Sequence, residues 1–335
     1  MKLFCGIRVF PAVLALLLAA AGAAAENRTV SITMTWQPQA QFAGIYYAKE
    51  AGIFAKYGLD VEIRHKTVEL SIVDYLTEKH SDFIVASLGT ALVERSKGIP
   101  LVNVCQLGKE STVMLIAAAG KGIERVSDLN KPTPSGQPRR FAVWEVDFGA
   151  VPLAFLRERR IDGRIVPMNT GIALFLWGAT DVVCAMEYNE YYQLLAAGYE
   201  PEDLVCFRLR DNRMNIPEDG VYTLESTVQA KPEVCAAVRE AILEGWREAL
   251  RNPEQALSCV RKYCDRDNSR FDPAHQRWML SMYGKSLALE GEQAGRLSPG
   301  DYDFAVGLFR KHKLIGSAID YARFCPVEKK EGEKK

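Results

Sequence analysis

Histidine is scarce and scattered in this chain of 335 residues: the four are His65, His80, His275 and His312, none at the spacing of a metal site or of a base beside a nucleophile. The cysteines form no C-x-x-C pair, so neither a zinc ribbon nor a dithiol redox centre is expected. No G-x-x-x-x-G-K-S/T loop, no G-x-G-x-x-G after a strand, no G-x-S-x-G elbow and no H-E-x-x-H occurs. With no reactive constellation, the expectation is a protein that is not an enzyme and takes no metal and no cofactor. Charge of one sign is missing as well. Forty-two basic residues balance 42 acidic ones, which denies nucleic acid the basic face it needs to displace counterions. No apolar run reaches the roughly 20 residues that span a bilayer, so no membrane insertion is expected.

What is present begins with an address. Lys2 and Arg8 precede an apolar run from Val9 to Ala21 that ends in Ala23-Ala24-Ala25, the pattern of a secretory signal peptide. Residues 1–25 are expected to be removed, which places the mature chain in the periplasm. Cys5 precedes the apolar run, so a lipid anchor is not expected. Cys105, Cys184, Cys206, Cys235, Cys259, Cys264 and Cys325 remain. An odd number cannot all pair. In an oxidising compartment disulfides are open to them, Cys259 and Cys264 being nearest in sequence, or they are small buried side chains. The mixed-charge tail, residues 328–335, has nothing to bury and is expected to be disordered.

The mature chain of roughly 310 residues is long enough for one large domain or two of ordinary size, and its rhythm favours two. Short apolar runs alternate with helical patterns, the signature of an α/β fold with mainly parallel sheets. Strands are predicted at Val30–Thr35, Asp60–Arg64, Phe83–Ala86, Leu101–Gln106 and Val113–Ala118. A helix at Gln41–Ala51 stops at Gly52, and another at Ser71–Lys79 opens with a Ser-x-x-Asp capping box. The Pro-rich stretch Asn130–Arg140 reads as a surface loop near the start of a second lobe. The rhythm then resumes with strands at Phe141–Trp144, Arg164–Pro167, Asp181–Met186 and Leu204–Leu209, and helices at Phe148–Arg159 and Glu187–Ala197. His80–Ser87 and Ala179–Met186 share one pattern, Asp followed by four strand residues and a turn, which points to two similarly built lobes. Beyond Asn212 helices dominate, and Cys235, Val238, Ile242, Trp246 and Ala249 recur at helical spacing as a core stripe from Pro232 to Arg251.

Open α/β sheets bind ligands at the carboxyl ends of their strands, and the residues there are polar and aromatic. The first strand runs into Trp36, Gln37, Gln41, Phe42 and Tyr46. Amides orient a ligand and rings stack on it, although Phe42 and Tyr46 at i, i+4 are equally a buried helix face. Ser87 and Thr90 open a helix after the third strand, either to hold an acceptor atom or to cap. Gln106 ends the fourth. In the second half, Trp144, Glu145, Asp147 and Phe148 follow one strand, Asn169 the next, and Glu187, Tyr188 and Glu190 the third. Arg and Lys, the usual partners of phosphate or sulfonate, are absent from these ends. The expected ligand is therefore flat, rich in hydrogen-bond donors, and neutral or weakly cationic, such as an amino-substituted heterocycle.

The segment Trp36 to Phe54 followed by Tyr57-Gly-Leu-Asp-Val-Glu-Ile63 resembles the opening of solute-binding proteins related to thiamine-pyrimidine-precursor and alkanesulfonate binders. Ser127-Asp-Leu129 and Asp219-Gly-Val-Tyr-Thr223 look like that family's crossings between lobes. The resemblance implies a two-lobed type II periplasmic binding protein fold, each lobe a mostly parallel sheet flanked by helices, with the ligand in the interlobe cleft. It implies lobe one over 26–122 and 213–327 and lobe two over 123–212. It also implies a monomer that delivers a formylaminopyrimidine-like thiamine precursor to an ABC permease and its ATPase. Position by position it covers Trp36, Gln37, Gln41, Phe42 and Tyr46, and more loosely Glu187–Glu190. Other solutes (an alkanesulfonate, a riboflavin-like compound, an amine) and a role as a periplasmic sensor are the alternatives. The enzyme of this fold that makes a pyrimidine phosphate has a cysteine-rich iron site with no counterpart here.

Overall fold

Strands covered by a protein layer on both faces must be apolar along their whole length, and Phe83–Ser87 and Val182–Met186 meet that demand, buried at every position. Each lies inside a five-stranded sheet. The computed structural model describes residues 27–67, 69–145, 147–169, 171–317 and 320–326. The leader read over 1–25 and the tail over 328–335 lie outside the described residues. The strands are β1 Arg28–Met34, β2 Leu59–His65, β3 Phe83–Ser87, β4 Leu101–Gln106, β5 Val113–Ala118, β6 Arg140–Trp144, β7 Arg164–Met168, β8 Val182–Met186, β9 Leu204–Arg208 and β10 Asp219–Leu224. The first sheet runs β2-β1-β3-β10-β4 and the second β7-β6-β8-β5-β9.

In each sheet three strands pair in parallel and a fourth inserts antiparallel beside them. The inserted strand is the one that has just crossed from the other lobe: β10 arrives from the second sheet and β5 from the first. This corrects three expectations. Val113–Ala118, assigned to lobe one by a boundary at 122, sits between β8 and β9 of the second sheet. The helix-dominated region beyond Asn212 also holds β10, and Asp219–Thr223, expected at a crossing, lies within that strand. Ser127–Leu129 is no crossing but part of a 3-10 turn, Val126–Asn130, closed by the Asp128 carboxylate on the N–H groups of Glu124 and Arg125.

Two of the four edge strands look as edges should. β2 alternates buried and exposed positions over its first five residues, and the mostly exposed β7 carries Pro167, which an inner strand could not place. The helix Pro232–Arg251 buries the whole predicted stripe, Cys235, Val238, Ile242, Trp246 and Ala249. It closes on the helix Ala43–Glu50 through two glycines. A Cβ on Gly245 would lie 2.3 Å from the Gly44 carbonyl, and one on Gly44 would lie 2.2 Å from the Trp246 ring. Ser71 and Asp74 form the predicted reciprocal cap (2.9 and 3.3 Å), though the helix it opens is short, Asp74–Thr77. Cys105, Cys184, Cys206, Cys259, Cys264 and Cys325 are free thiols, so the pair nearest in sequence, Cys259 and Cys264, is not bridged. No helix among the described residues is long and apolar enough to cross a membrane.

Candidate functional site

The two crossings, 107–112 and 209–218, run side by side and are stapled by one carboxylate. Glu218 accepts from Val113 N (3.0 Å), Thr112 Oγ1 (2.8 Å), Ser111 Oγ (3.3 Å) and Thr112 N. Gln106, expected at the ligand, belongs to this staple. Its amide donates to the carbonyls of Gly108, Glu218 and Asp219 at 3.0, 3.2 and 3.0 Å, so it is a hinge residue and not a cleft residue.

Beyond the hinge the strand ends of the two lobes face each other across a cleft of about 610 Å³, within the range of small-molecule sites. Trp36 and Gln37 enter from lobe one, and Trp144, Glu145, Asp147 and Asn169 from lobe two. Thr35 lines the same cleft, and its hydroxyl is buried with no hydrogen-bond partner among the described residues. Such an orphan costs free energy until something bonds it. At the inner end Trp36, Gln41, Trp144, Phe148, Tyr188 and Glu190 close round a pocket of about 20 Å³, too small for a ring as it stands. Trp36 from one lobe and Trp144 from the other each set an edge against Phe148, with centroids 6.0 Å apart in both cases.

Polar groups behind these rings are buried and chained. Gln39 Nε2 donates to Gln41 Oε1 (2.6 Å), Gln41 Nε2 to Asp219 Oδ2 (2.5 Å), and Tyr283 OH to the same oxygen (2.9 Å). Glu190, 3% exposed, accepts from Met186 N and Asn189 Nδ2, both at 2.9 Å. Burial pushes the Glu190 carboxyl up to about 7, and burial together with neighbouring Asp219 does the same to Glu218. Asp219 itself is raised by burial, against the hydrogen bonds from Gln41 and Tyr283. A cleft backed by carboxylates that hold their charge reluctantly gains from a ligand that brings a hydrogen-bond donor or a positive charge.

Several expected ligand residues are elsewhere. Phe42 and Tyr46 are 1% and 0% exposed in the core of lobe one. Tyr46 stacks on Tyr263 at 4.2 Å and bonds His65 Nε2, whose Nδ1 is 2.6 Å from Asp267; their i, i+4 spacing marked a core face. Glu187 is held by Arg208 and Arg210 at 2.7 and 2.8 Å and is structural. Ser87 caps the helix Leu88–Ser96 by accepting from Thr90 N, and both hydroxyls donate to the Asp147 carbonyl of the other lobe. The strand ends were also read as free of basic side chains, but Lys66, one residue past β2, lines the cleft. Its Nζ is 3.2 Å from Asp147 Oδ2.

Two lobes of one strand order, two crossings and a ligand-sized cleft between them define the class: a solute-binding protein of the periplasmic binding fold. Solved structures of that fold superpose over most of the chain. The periplasmic aliphatic sulphonate binding protein SsuA from Escherichia coli does so with a TM-score of 0.66 at 14% identity, over 89% of this chain and 97% of its own. The alkanesulfonate-binding protein from Xanthomonas axonopodis pv. citri, bound to MOPS, gives 0.61 at 14% identity, over 88% and 96%. The NMT1/THI5-like family model matches residues 39–256, and the chain belongs to that family. Among its relatives is the formylaminopyrimidine-binding protein of Halalkalibacterium halodurans, 25% identical over 241 residues, 69% of each chain. Another is the riboflavin-binding protein RibY of Chloroflexus aurantiacus, 24% identical over 233 residues, 68% of this chain and 64% of the relative.

Proposed function

We propose that this protein is the periplasmic ligand-capturing component of an ABC importer, and that its ligand is a flat nitrogen heterocycle of the formylaminopyrimidine kind. The observation that carries the reading is the lining of the cleft. Trp36 and Trp144 line it from opposite lobes, the Thr35 hydroxyl has no partner among the described residues, and the one cation among the described lining residues, Lys66, is already paired. Sulfonate or phosphate would want free Arg or Lys. A ring bearing N–H groups finds acceptors in Glu145 and, further in, Glu190. The two sequence relatives named for their ligands bind nitrogen heterocycles, which agrees with this chemistry. The pocket of about 20 Å³ at the inner end means that the rings part before a ligand seats there, so capture begins from a more open arrangement and ends with the lobes closing over the ligand. The closed outer surface is then what a permease reads.

A riboflavin-like ligand is the second reading, favoured by a cleft of about 610 Å³ that exceeds the needs of a single ring. Mass spectrometry of the compound that co-purifies from the native host, then calorimetry with formylaminopyrimidine, riboflavin and an alkanesulfonate, separates these. Tight binding of the pyrimidine with none of the sulfonate is expected. Preference for the sulfonate would sink the proposal.

A further inference from the structure

Asp147 ties the two lobes together at the mouth of the cleft. Its backbone is left-handed, φ 64°, a sparsely populated conformation that Asp tolerates better than most L-residues. The groups that hold it come from lobe one. The Asp147 carbonyl accepts from Ser87 Oγ at 3.0 Å and from Thr90 Oγ1, and its carboxylate faces Lys66, with the two side chains only 7% and 15% exposed. Lys66 is anchored in turn by its own N–H on the Met34 carbonyl (3.0 Å). Two residues past Asp147 the turn leaves no slack, since a Cβ on Gly149 would lie 2.4 Å from the Trp144 carbonyl.

Lys66 is also where an anionic ligand group entering this cleft would turn. Diverting one partner of a shielded ion pair leaves the other charge uncompensated, here beside Glu145 and Glu69, which line the same cleft. A neutral or cationic ligand leaves the pair intact. We propose that Asp147 and Lys66 form a closure latch that also filters ligands by charge, holding the lobes shut over neutral or cationic solutes and rejecting those that carry phosphate or sulfonate. This rests on the cleft being the binding site, as proposed above, and the test keeps the two apart.

Asp147→Asn and Lys66→Met are compared with the parent in the mature chain. Without ligand, small-angle scattering should show both variants more open than the parent at low salt, with the gap closing as salt rises. Calorimetry with formylaminopyrimidine and with hydroxymethylpyrimidine monophosphate should show the parent preferring the uncharged compound by about 100-fold. Asp147→Asn should narrow that preference about tenfold by freeing Lys66, whereas Lys66→Met should weaken the pyrimidine without gaining the phosphate ester. Equal radii for all three proteins would overturn the latch, and an unchanged preference in Asp147→Asn would overturn the filter. If the parent binds neither compound, the ligand class proposed above falls and takes the filter with it, while scattering still decides the latch.

Discussion

Lobe one and lobe two are the same machine below the cleft and different machines at its walls. In each, an aspartate just before the third strand pins the first. Asp82 accepts from Ser31 N at 2.9 Å in lobe one, and Asp181 from Arg140 N at 2.8 Å in lobe two. Their own N–H groups return the bond, to the Ser31 and Arg140 carbonyls. Five residues beyond each aspartate the likeness ends. β3 delivers Ser87, a neutral cap whose hydroxyl reaches the other lobe. β8 delivers Met186, and the next helix opens with the buried Glu190 folded back on the Met186 N–H. A shared scaffold fixes where strand ends point, and the side chains there are free to differ because no ladder bond depends on them.

The largest effect is expected where the lobes meet. Glu218→Ala leaves the Thr112 N–H unbonded in a buried hinge, and leaves the Val113 N–H and the Thr112 hydroxyl only their longer contacts to Ser111 Oγ (3.3 Å) and Met186 Sδ (3.6 Å), which should cost about 4 kcal/mol. Thermal unfolding should show a Tm lower by roughly 10 °C. A loss of under about 1 kcal/mol would mean that water replaces the staple. Next comes the asymmetry itself. Because Glu190 titrates near 7 when folded, against an ordinary 4.5, the folded state binds the extra proton. Its contribution to stability is complete below about pH 4.5 and is lost as pH rises through 7, at most about 3 kcal/mol. Glu218, raised alike, adds a slope of the same sign. The parent should therefore melt higher at pH 5 than at pH 8, and Glu190→Gln should remove about half of that difference. A variant with the parent's full slope would show that Glu190 does not carry it.

How far the sequence disclosed this molecule follows from how local each signal is. Leu101–Gln106 and Val113–Ala118 are legible to the residue, since burial on both faces writes a mostly apolar run, continuous in the second and broken only by Asn103 before the closing Gln106 in the first. Their membership is not legible. Six residues separate two strands of different sheets, and adjacency in sequence argued for one sheet. Asp219–Leu224 resembles a crossing and not a strand in sequence, because its partners in β3 and β4 lie more than a hundred residues away and its six residues carry no alternation. The rings of Trp36 and Trp144 were found because they sit just at strand ends. Lys66 was missed although it sits one residue past a strand: its meaning comes from Asp147, which only folding brings near. Gln41 and Gln106 are chemically identical, and only the path of the second crossing decides which one faces the cleft side of the hinge.

The shared scaffold can be tested by matched deletions. Asp82→Ala and Asp181→Ala each remove a charged acceptor from a backbone N–H at the same point of the two sheets, and each should cost about 2 kcal/mol. Asp82 also accepts from the Ser31 hydroxyl at 2.9 Å, where Asp181 has the longer contact to Arg140 Nε at 3.5 Å, so lobe one should lose slightly more. Chemical denaturation of the two variants should give midpoints close together. Losses differing by more than about 2 kcal/mol would show that the lobes share an outline without sharing the forces that hold it.

The smallest effect probes the walls. Trp36 is partly exposed, while Trp144 is 5% exposed, so truncating Trp36 removes little packing. Trp36→Ala should leave the Tm within about 2 °C of the parent and weaken a heterocyclic ligand about tenfold, the lower part of the range for base stacking on an aromatic ring. Trp144→Ala should weaken binding as much but also cost about 3 kcal/mol of stability, because its ring is lobe-two core as well as wall. Calorimetry beside thermal melts reads both quantities on the same samples. Trp36→Ala with unchanged affinity would remove lobe one's ring from the ligand and leave recognition to the lobe that carries Glu190.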